Sequence, residues 1–568
     1  MDLRTHSTKL KLIFFCLSSL ILATSCESDS PSSQTDKPTN SATISTQVNL
    51  SPSSGDRLIS ASIGDASNLI PMIAGDSASH EIASNLYLSM LKYDKDLNLT
   101  GELAENWEVS DDQLSIIFHL RHGINWTDGK PFTSQDCAFT LALMQDDATQ
   151  SAYKSDYSMV KSFETPDPYT FTVHYSEIFS PALSSWVSLS ILPKHIFKGE
   201  NIMNTKLSRL PKATLGPYVL KDWQAQQSIT LSANPNYYDG SVWISERMTR
   251  IIPDTATQFL ELSAGHLDEM GLTPTQFKRL FDNTPYLKEH YLRYQYLGFV
   301  YTYMGFNLNR APFNDPLVRQ AIAYAIDRQE IVDGVLLGLG ELIATPYKPG
   351  TRWVNESLKP RAFSPDKATK LLSQAGWQKN QHGILEKDGK SLSFTILTNN
   401  GNKQRADSAT IIQQRLKQIG IEVKVRLVEW SAFIDNFINK RNFDAVILGW
   451  SMSPEPDQYT IWHSSQTAER QFNFLGYHND VVDEALVKAR QTFDQDARKA
   501  YYDKMQEEIF NDVPMVFLYA PYSTTAMHKR IKGIEPAPAG IGYNSMHWYI
   551  PKALQKYDVS AQASSIQQ

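Results

Sequence analysis

The chain has 568 residues, 42% of them hydrophobic and 20% charged, with a formal net charge of −7. Length and composition point to a globular protein of roughly three or four domains. So mild a charge argues against nucleic acid as the main partner.

In chain order, Arg4, Lys9 and Lys11 precede an apolar run at 12–23, "LIFFCLSSLILA". A basic start followed by about a dozen apolar residues is too short to span a bilayer and fits a secretory signal. The run ends in "ATSCESDS", which resembles the lipobox of bacterial lipoproteins, with Cys26 as the lipidated first residue of the mature chain. Ala23 stands where that pattern usually has leucine, and an ordinary signal peptide cut nearby is the alternative. With Cys16 in the signal and Cys26 lipidated, only Cys137 remains, so the mature chain forms no internal disulfide. Residues 27–56 are rich in Ser, Thr, Pro, Asn and Asp, the composition of a disordered tether. No later stretch has about 18 consecutive apolar residues.

In the body, Leu114, Ile116, Phe118 and Leu120 alternate as in a strand, and "TDGKPFTSQD" turns into a helix capped by Thr133 or Ser134. "YTFTVHY" (169–175) reads as a further strand of a small mixed subdomain. Asp315-Pro316 and Ser364-Pro365 are helix starts, and Gly376 is a helix stop. Val318, Ile322, Ala325 and Ile326 form one apolar helical face. From Leu392 the pattern is strand, helix (Ile411, Ile412, Leu416, Ile419), strand, helix ("SAFIDNFINK") and strand (445–448). In the middle strand Ile421, Val423, Val425 and Leu427 are the inward set. Such a βαβαβ run predicts a helix-covered sheet with ligands at the strand ends, where Gly449-Trp450 opens an acidic, proline-rich loop, "SMSPEPD".

Enzyme signatures are missing. "GILEKDGKS" has five residues between Gly383 and Gly389 where a phosphate loop has four, and its Asp388-Gly389 step reads as a hairpin turn. His119 and His122 point to opposite faces if they lie on a strand, which is no metal site. No cofactor is expected.

Several motifs together resemble the peptide/nickel class (family 5) of ABC-transporter solute-binding proteins. They are "LAENWEVSDDQLSIIFHLRHGINWTDGKPFTSQDCAFTL" (103–141), "TLGPYVLKDW" (214–223), "ITLSANPNYYDG" (229–240), "FNLNRAPFNDPLVRQAIAYAIDRQEIV" (306–332) and "DVPMVFLY" (512–519), in the family's order. The resemblance implies an α/β, two-lobed periplasmic-binding-protein-like fold (class II, cluster C type) that closes by a hinge, with an extra inserted subdomain. Lobe I would comprise 57–88, 209–305 and 521–560, the inserted subdomain 89–208 and lobe II 306–520, leaving 561–568 as a tail.

It implies capture of oligopeptides outside the membrane and delivery to an ABC importer, its permease subunits and their ATPases, by a monomer held to the membrane through its lipid alone. A non-peptide solute such as a nickel or haem complex is the alternative cargo. An exported hydrolase and a surface lipoprotein that binds another protein or acts as a sensor are the other classes.

In oligopeptide-binding members a G-W-x-x-D pattern sets an aspartate against the peptide's ammonium. Here that place is Ser453, so Glu455 or Asp457 becomes the candidate counter-ion, with a helix-capping role as the alternative for Asp457. Trp450 and Trp462 are candidates for stacking on ligand, and Ser451, Tyr303 and Asn307 complete the expected binding residues, with Tyr301 a weaker one.

Overall fold

The computed structural model describes residues 50–240 and 242–559. The expected signal segment, Cys26, most of the tether and the tail at 561–568 lie outside the described residues. The first strand, Gly55–Ser62, begins inside the stretch expected to be tether, and Asp56 is fully buried, so residues 55 and 56 belong to the fold.

Three main sheets form the body. The first has the order Gly55–Ser62, Ile244–Ile251, Ser228–Ala233, Tyr218–Gln224, so that two strands whose paired residues are 189 positions apart in sequence lie parallel side by side. Between them in sequence comes an antiparallel sheet of Ala104–Val109, Ser115–Leu120, Thr170–Tyr175 and Val160–Asp167. Its inner face, Ile116, Phe118 and Leu120, packs on Phe171, Val173 and Trp186 in the largest core cluster. Thr133 caps the helix Ser134–Gln145 in a reciprocal capping box with Asp136, which satisfies two donors that the helix start leaves open. His119 bonds Glu108 while His122 stacks on Tyr169, so the two histidines do not converge.

The third sheet orders Glu269–Gly271, Met515–His528, Val300–Phe306, Ala445–Ser451, Ser393–Asn399, Glu422–Val428. The βαβαβ expectation holds: Ser393–Asn399 pairs in parallel with both Glu422–Val428 and Ala445–Ser451. Ala445, Val446, Ile447 and Leu448 are all buried, because a parallel strand covered on both faces tolerates no polar alternation. The edge strand departs from expectation at its end, where Leu427 is 48% exposed and Val428 turns inward instead. Asp315 and Ser364 cap the helices Pro316–Ala325 and Pro365–Gln374, and Asp388-Gly389 forms the tight hairpin turn, both residues at positive φ (52° and 71°).

The 14-residue strand Met515–His528 pairs first with Val300–Phe306 and then with Tyr291–Leu297, so two stretches of chain run side by side from the third sheet toward the N-terminal part. Past them a buried ion triad ties the first strand to the segment at 530–557. Arg530 grips Asp268 through Nε (2.7 Å) and Nη2 (2.6 Å) and also meets Asp56, whose oxygens accept from Lys556 N and Tyr557 N at 2.9 Å. Among the described residues no helix is long and apolar enough to cross a membrane.

Candidate functional site

Three parallel strands deliver Asn399, Val428 and Gly449-Trp450-Ser451 to one edge of the third sheet, where open α/β sheets take ligands. The loop after Asn399 carries Asn402, whose side chain caps the helix Lys403–Gln418, and the first turn of that helix presents Arg405. The Arg405 Nη1 donates to Asn399 Oδ1 at 2.9 Å, and Nη2 lies across Gly449, where an added Cβ would come within 2.8 Å. Glycine at 449 therefore makes room for the guanidinium. Burial lowers the affinity of Arg405 for its proton, and the neighbours that act on it are the phenols of Tyr519 and Tyr303 rather than any carboxylate. A desolvated cation without a carboxylate beside it is unfavourable unless an anion arrives.

Tyr301 and Tyr303 stand on the neighbouring strand, opposite Trp450 and Leu448. Both are buried, and neither hydroxyl has a hydrogen-bond partner among the described residues. Burial pushes both phenols well above the usual range, so they remain donors. Trp450 packs its ring edge-on to Phe472 (5.1 Å) and against Phe474 (5.9 Å), with its indole N–H unpaired. Ser451 and Ser453 are exposed beyond it, and the Ser453 hydroxyl faces Tyr93 and accepts from Glu455 N at 3.2 Å.

Several expected binding residues are engaged elsewhere. Glu455 is held by Arg498 and by the Ser184 hydroxyl (3.0 Å), so its charge is already met. Asp457 accepts two bonds from Arg490, at 2.5 and 2.9 Å, and its other oxygen accepts from Tyr459 N at the start of the helix Tyr459–Trp462. That bond closes a two-residue turn ahead of the helix, whose N-cap is Gln458 with no side-chain cap bond, so the helix-capping alternative for Asp457 is not met; neither acid is left as a counter-ion for an ammonium. Trp462 is a core residue, 1% exposed, edge-on to Tyr477. Asn307 spends its amide on Arg441 O (3.1 Å) and Phe443 O (2.9 Å), pinning a loop beneath the sheet.

The sequence reading missed Arg405 and Asn399. The signal for them was available: an Asn-Asn-Gly-Asn loop at a strand end, followed by a basic residue in the first turn of the next helix. One trio of possible metal ligands comes together among the described residues, His478, Asp480 and Asp483. It sits at the start of the helix Asp480–Arg490, whose positive dipole end disfavours a cation, and Asp483 already accepts from Ser464 N and Oγ.

Residues 98–471 match the family described as bacterial extracellular solute-binding proteins, family 5. The chain belongs to this family. It has the family's two-lobed α/β fold. The oligopeptide-binding protein AppA of Bacillus subtilis is 34% identical over 515 residues, covering 88% of this chain and 93% of AppA. The structure of that AppA in complex with a nonapeptide superposes with a TM-score of 0.84 at 32% identity, over 88% of this chain and 100% of AppA. NikZ from Campylobacter jejuni in complex with Ni(L-His) gives 0.79 at 25% identity, over 88% and 100%. DppA from Helicobacter pylori in complex with the peptide STSA gives 0.80 at 25%, over 88% and 99%.

Proposed function

We propose that this family 5 member captures oligopeptides between its two lobes and hands them to an ABC importer, the permease subunits and ATPases being its partners. In this reading it is a monomer without catalytic activity, exported and lipid-anchored through Cys26. The closing bodies are 57–88, 209–305 and 521–560 with the insert 89–208 on one side, and 306–520 on the other.

The observation that carries the cargo assignment is Arg405: a half-buried guanidinium with no carboxylate beside it among the described residues, at the strand ends, next to the unpaired Tyr303 hydroxyl. A peptide supplies the missing anion as its terminal carboxylate, and its backbone carbonyls accept from the unpaired phenol and indole donors. The likeness to AppA supports the peptide over other solutes.

A second reading, a nickel complex of an amino acid, is favoured by Ser453. That position offers a peptide ammonium no charge, and the nearby acids are already paired with arginines. Thermal melting separates the two readings. A mixed pool of oligopeptides should raise the melting temperature, as any ligand that binds only the folded state does, while nickel with histidine leaves it unchanged. The reverse pattern overturns the peptide assignment.

A further inference from the structure

The two sides of the cleft meet along a seam built around one arginine. Arg490 ends the helix Asp480–Arg490 and is 4% exposed. On its own side it holds Asp457 at 2.5 Å. Across the seam it reaches Asp156 Oδ1 at 2.6 Å and Ser155 O at 3.3 Å, both in the turn before the strand Val160–Asp167.

The same helix end is capped from across the seam. Ser180 N donates to Arg490 O at 2.6 Å, and Ser180 Oγ to Ala489 O at 3.0 Å. These satisfy carbonyls that a helix C-terminus otherwise leaves to water. Gln491 reaches Glu177 at 2.6 Å, and Ser184 reaches Glu455 at 3.0 Å. A second contact zone lies at Trp430, whose indole stacks over Gly64 and donates to Asp76 at 3.4 Å.

We propose that this seam is a proton-linked latch. Closing brings Asp156 to an Arg490 already paired with Asp457, so the closed cleft sets Asp156, Glu455 and Asp457 against only Arg490 and Arg498, and takes up one proton from solvent.

The charge count carries the inference. Three carboxylates share two guanidiniums: Arg490 serves Asp156 and Asp457, and Arg498 serves Glu455. The other titratable groups facing the cluster do not balance it. Tyr153 and Tyr157 beside Asp156, and Tyr347 and Tyr502 beside the acids, are pushed up by burial and stay neutral. Tyr93 faces Ser453 and Glu455, is raised to about 12 by burial, and is neutral too. The ring of Tyr459 lies under Arg490 at 3.9 Å. His463 is lowered by burial, and the charged groups acting on it, Asp483, Arg490 and His478, are on its own side of the seam.

Consistent with the count, burial and the charges of Asp457 and Glu455 outweigh Arg490 and push the Asp156 carboxyl up to about 6. Glu455 is raised as well, chiefly by burial.

The sign follows from linkage. A carboxyl raised in the closed state binds its proton more tightly there, so closure strengthens as pH falls through that range. From an ordinary value of 3.8 to about 6, the closed-to-open ratio gains about tenfold at most between pH 7.5 and 5.0.

Hydrogen–deuterium exchange on the full chain tests this, because the Ser180 N–H is bonded only across the seam. The protection of Ser180, corrected for intrinsic exchange, should rise several-fold from pH 7.5 to 5.0, with the central strand Ala445–Ser451 as the fold control. In Asp156→Asn, which keeps Asp457 on Arg490, protection at pH 7.5 should equal or exceed that of the unaltered chain and lose its pH dependence. In Arg490→Gln, Ser180 should lose protection at every pH while the central strand keeps it. Protection that is flat or falls with acid, or an Asp156→Asn chain that follows the unaltered pH curve, overturns the latch.

Discussion

Replacing Arg405 by glutamine keeps a donor for Asn399 Oδ1 but removes the positive charge. A hydrogen bond to a charged group contributes about 1.5–3 kcal/mol, so the variant should bind a free-carboxylate peptide roughly 10- to 150-fold more weakly. Calorimetry at pH 7 with a peptide recovered from the purified chain, and with the same sequence C-terminally amidated, separates this charge effect from general damage. The unaltered chain should prefer the free acid by that factor, and Arg405→Gln should bind both forms about equally. Without ligand the variant should be no less stable than the parent, because the guanidinium is desolvated with no acid to offset it. A variant that still discriminates acid from amide would refute the assignment of Arg405 to the ligand's anion.

Gly449→Ala should weaken the same peptide several-fold while leaving the far-UV spectrum unchanged, since its Cβ falls 2.8 Å from Arg405 Nη2 and 3.0 Å from Tyr301 O. Arg530→Met strands Asp56 and Asp268 in the core, and should cost about 3–5 kcal/mol in urea unfolding. Glu269 is pushed up to about 7, first by burial and then by the charge of Glu81, against the pull of Arg247. Its folded value lies above the unfolded one, so its contribution is full below the unfolded value and is lost as pH rises through 7. Relative to the parent, Glu269→Gln should therefore gain up to about 3 kcal/mol at pH 8 and nothing near pH 4, read from thermal melts across that range.

Much of the frame was legible because it rests on local rules. Capping residues at Asp315 and Ser364, the turn at Asp388-Gly389 and the apolar run at 445–448 each reflect chemistry within a few residues. The site was less legible because its logic is one of pairing over long distances. Glu455 and Asp457 look like free counter-ions until Arg498 and Arg490, more than 30 residues downstream, fold back onto them. Trp462 and Asn307 have the residue types of a binding cleft, yet one fills the core and the other holds a loop. Arg405 carries a different lesson: its place in the first turn after a strand-end loop was readable, but that its guanidinium meets Asn399, Gly449 and the phenols of Tyr303 and Tyr519 is decided by strands far apart in the sequence. Leu427 shows the smaller limit, an alternating strand whose last turn of phase is decided by its position at the sheet edge.

Native mass spectrometry of the freshly purified chain, repeated after unfolding and refolding, bears most directly on the cargo. A spread of extra mass that disappears on refolding and fragments as short peptides is the predicted result. A single discrete adduct, or none until a metal complex is added, would contradict the assignment of oligopeptides to the Arg405 cleft.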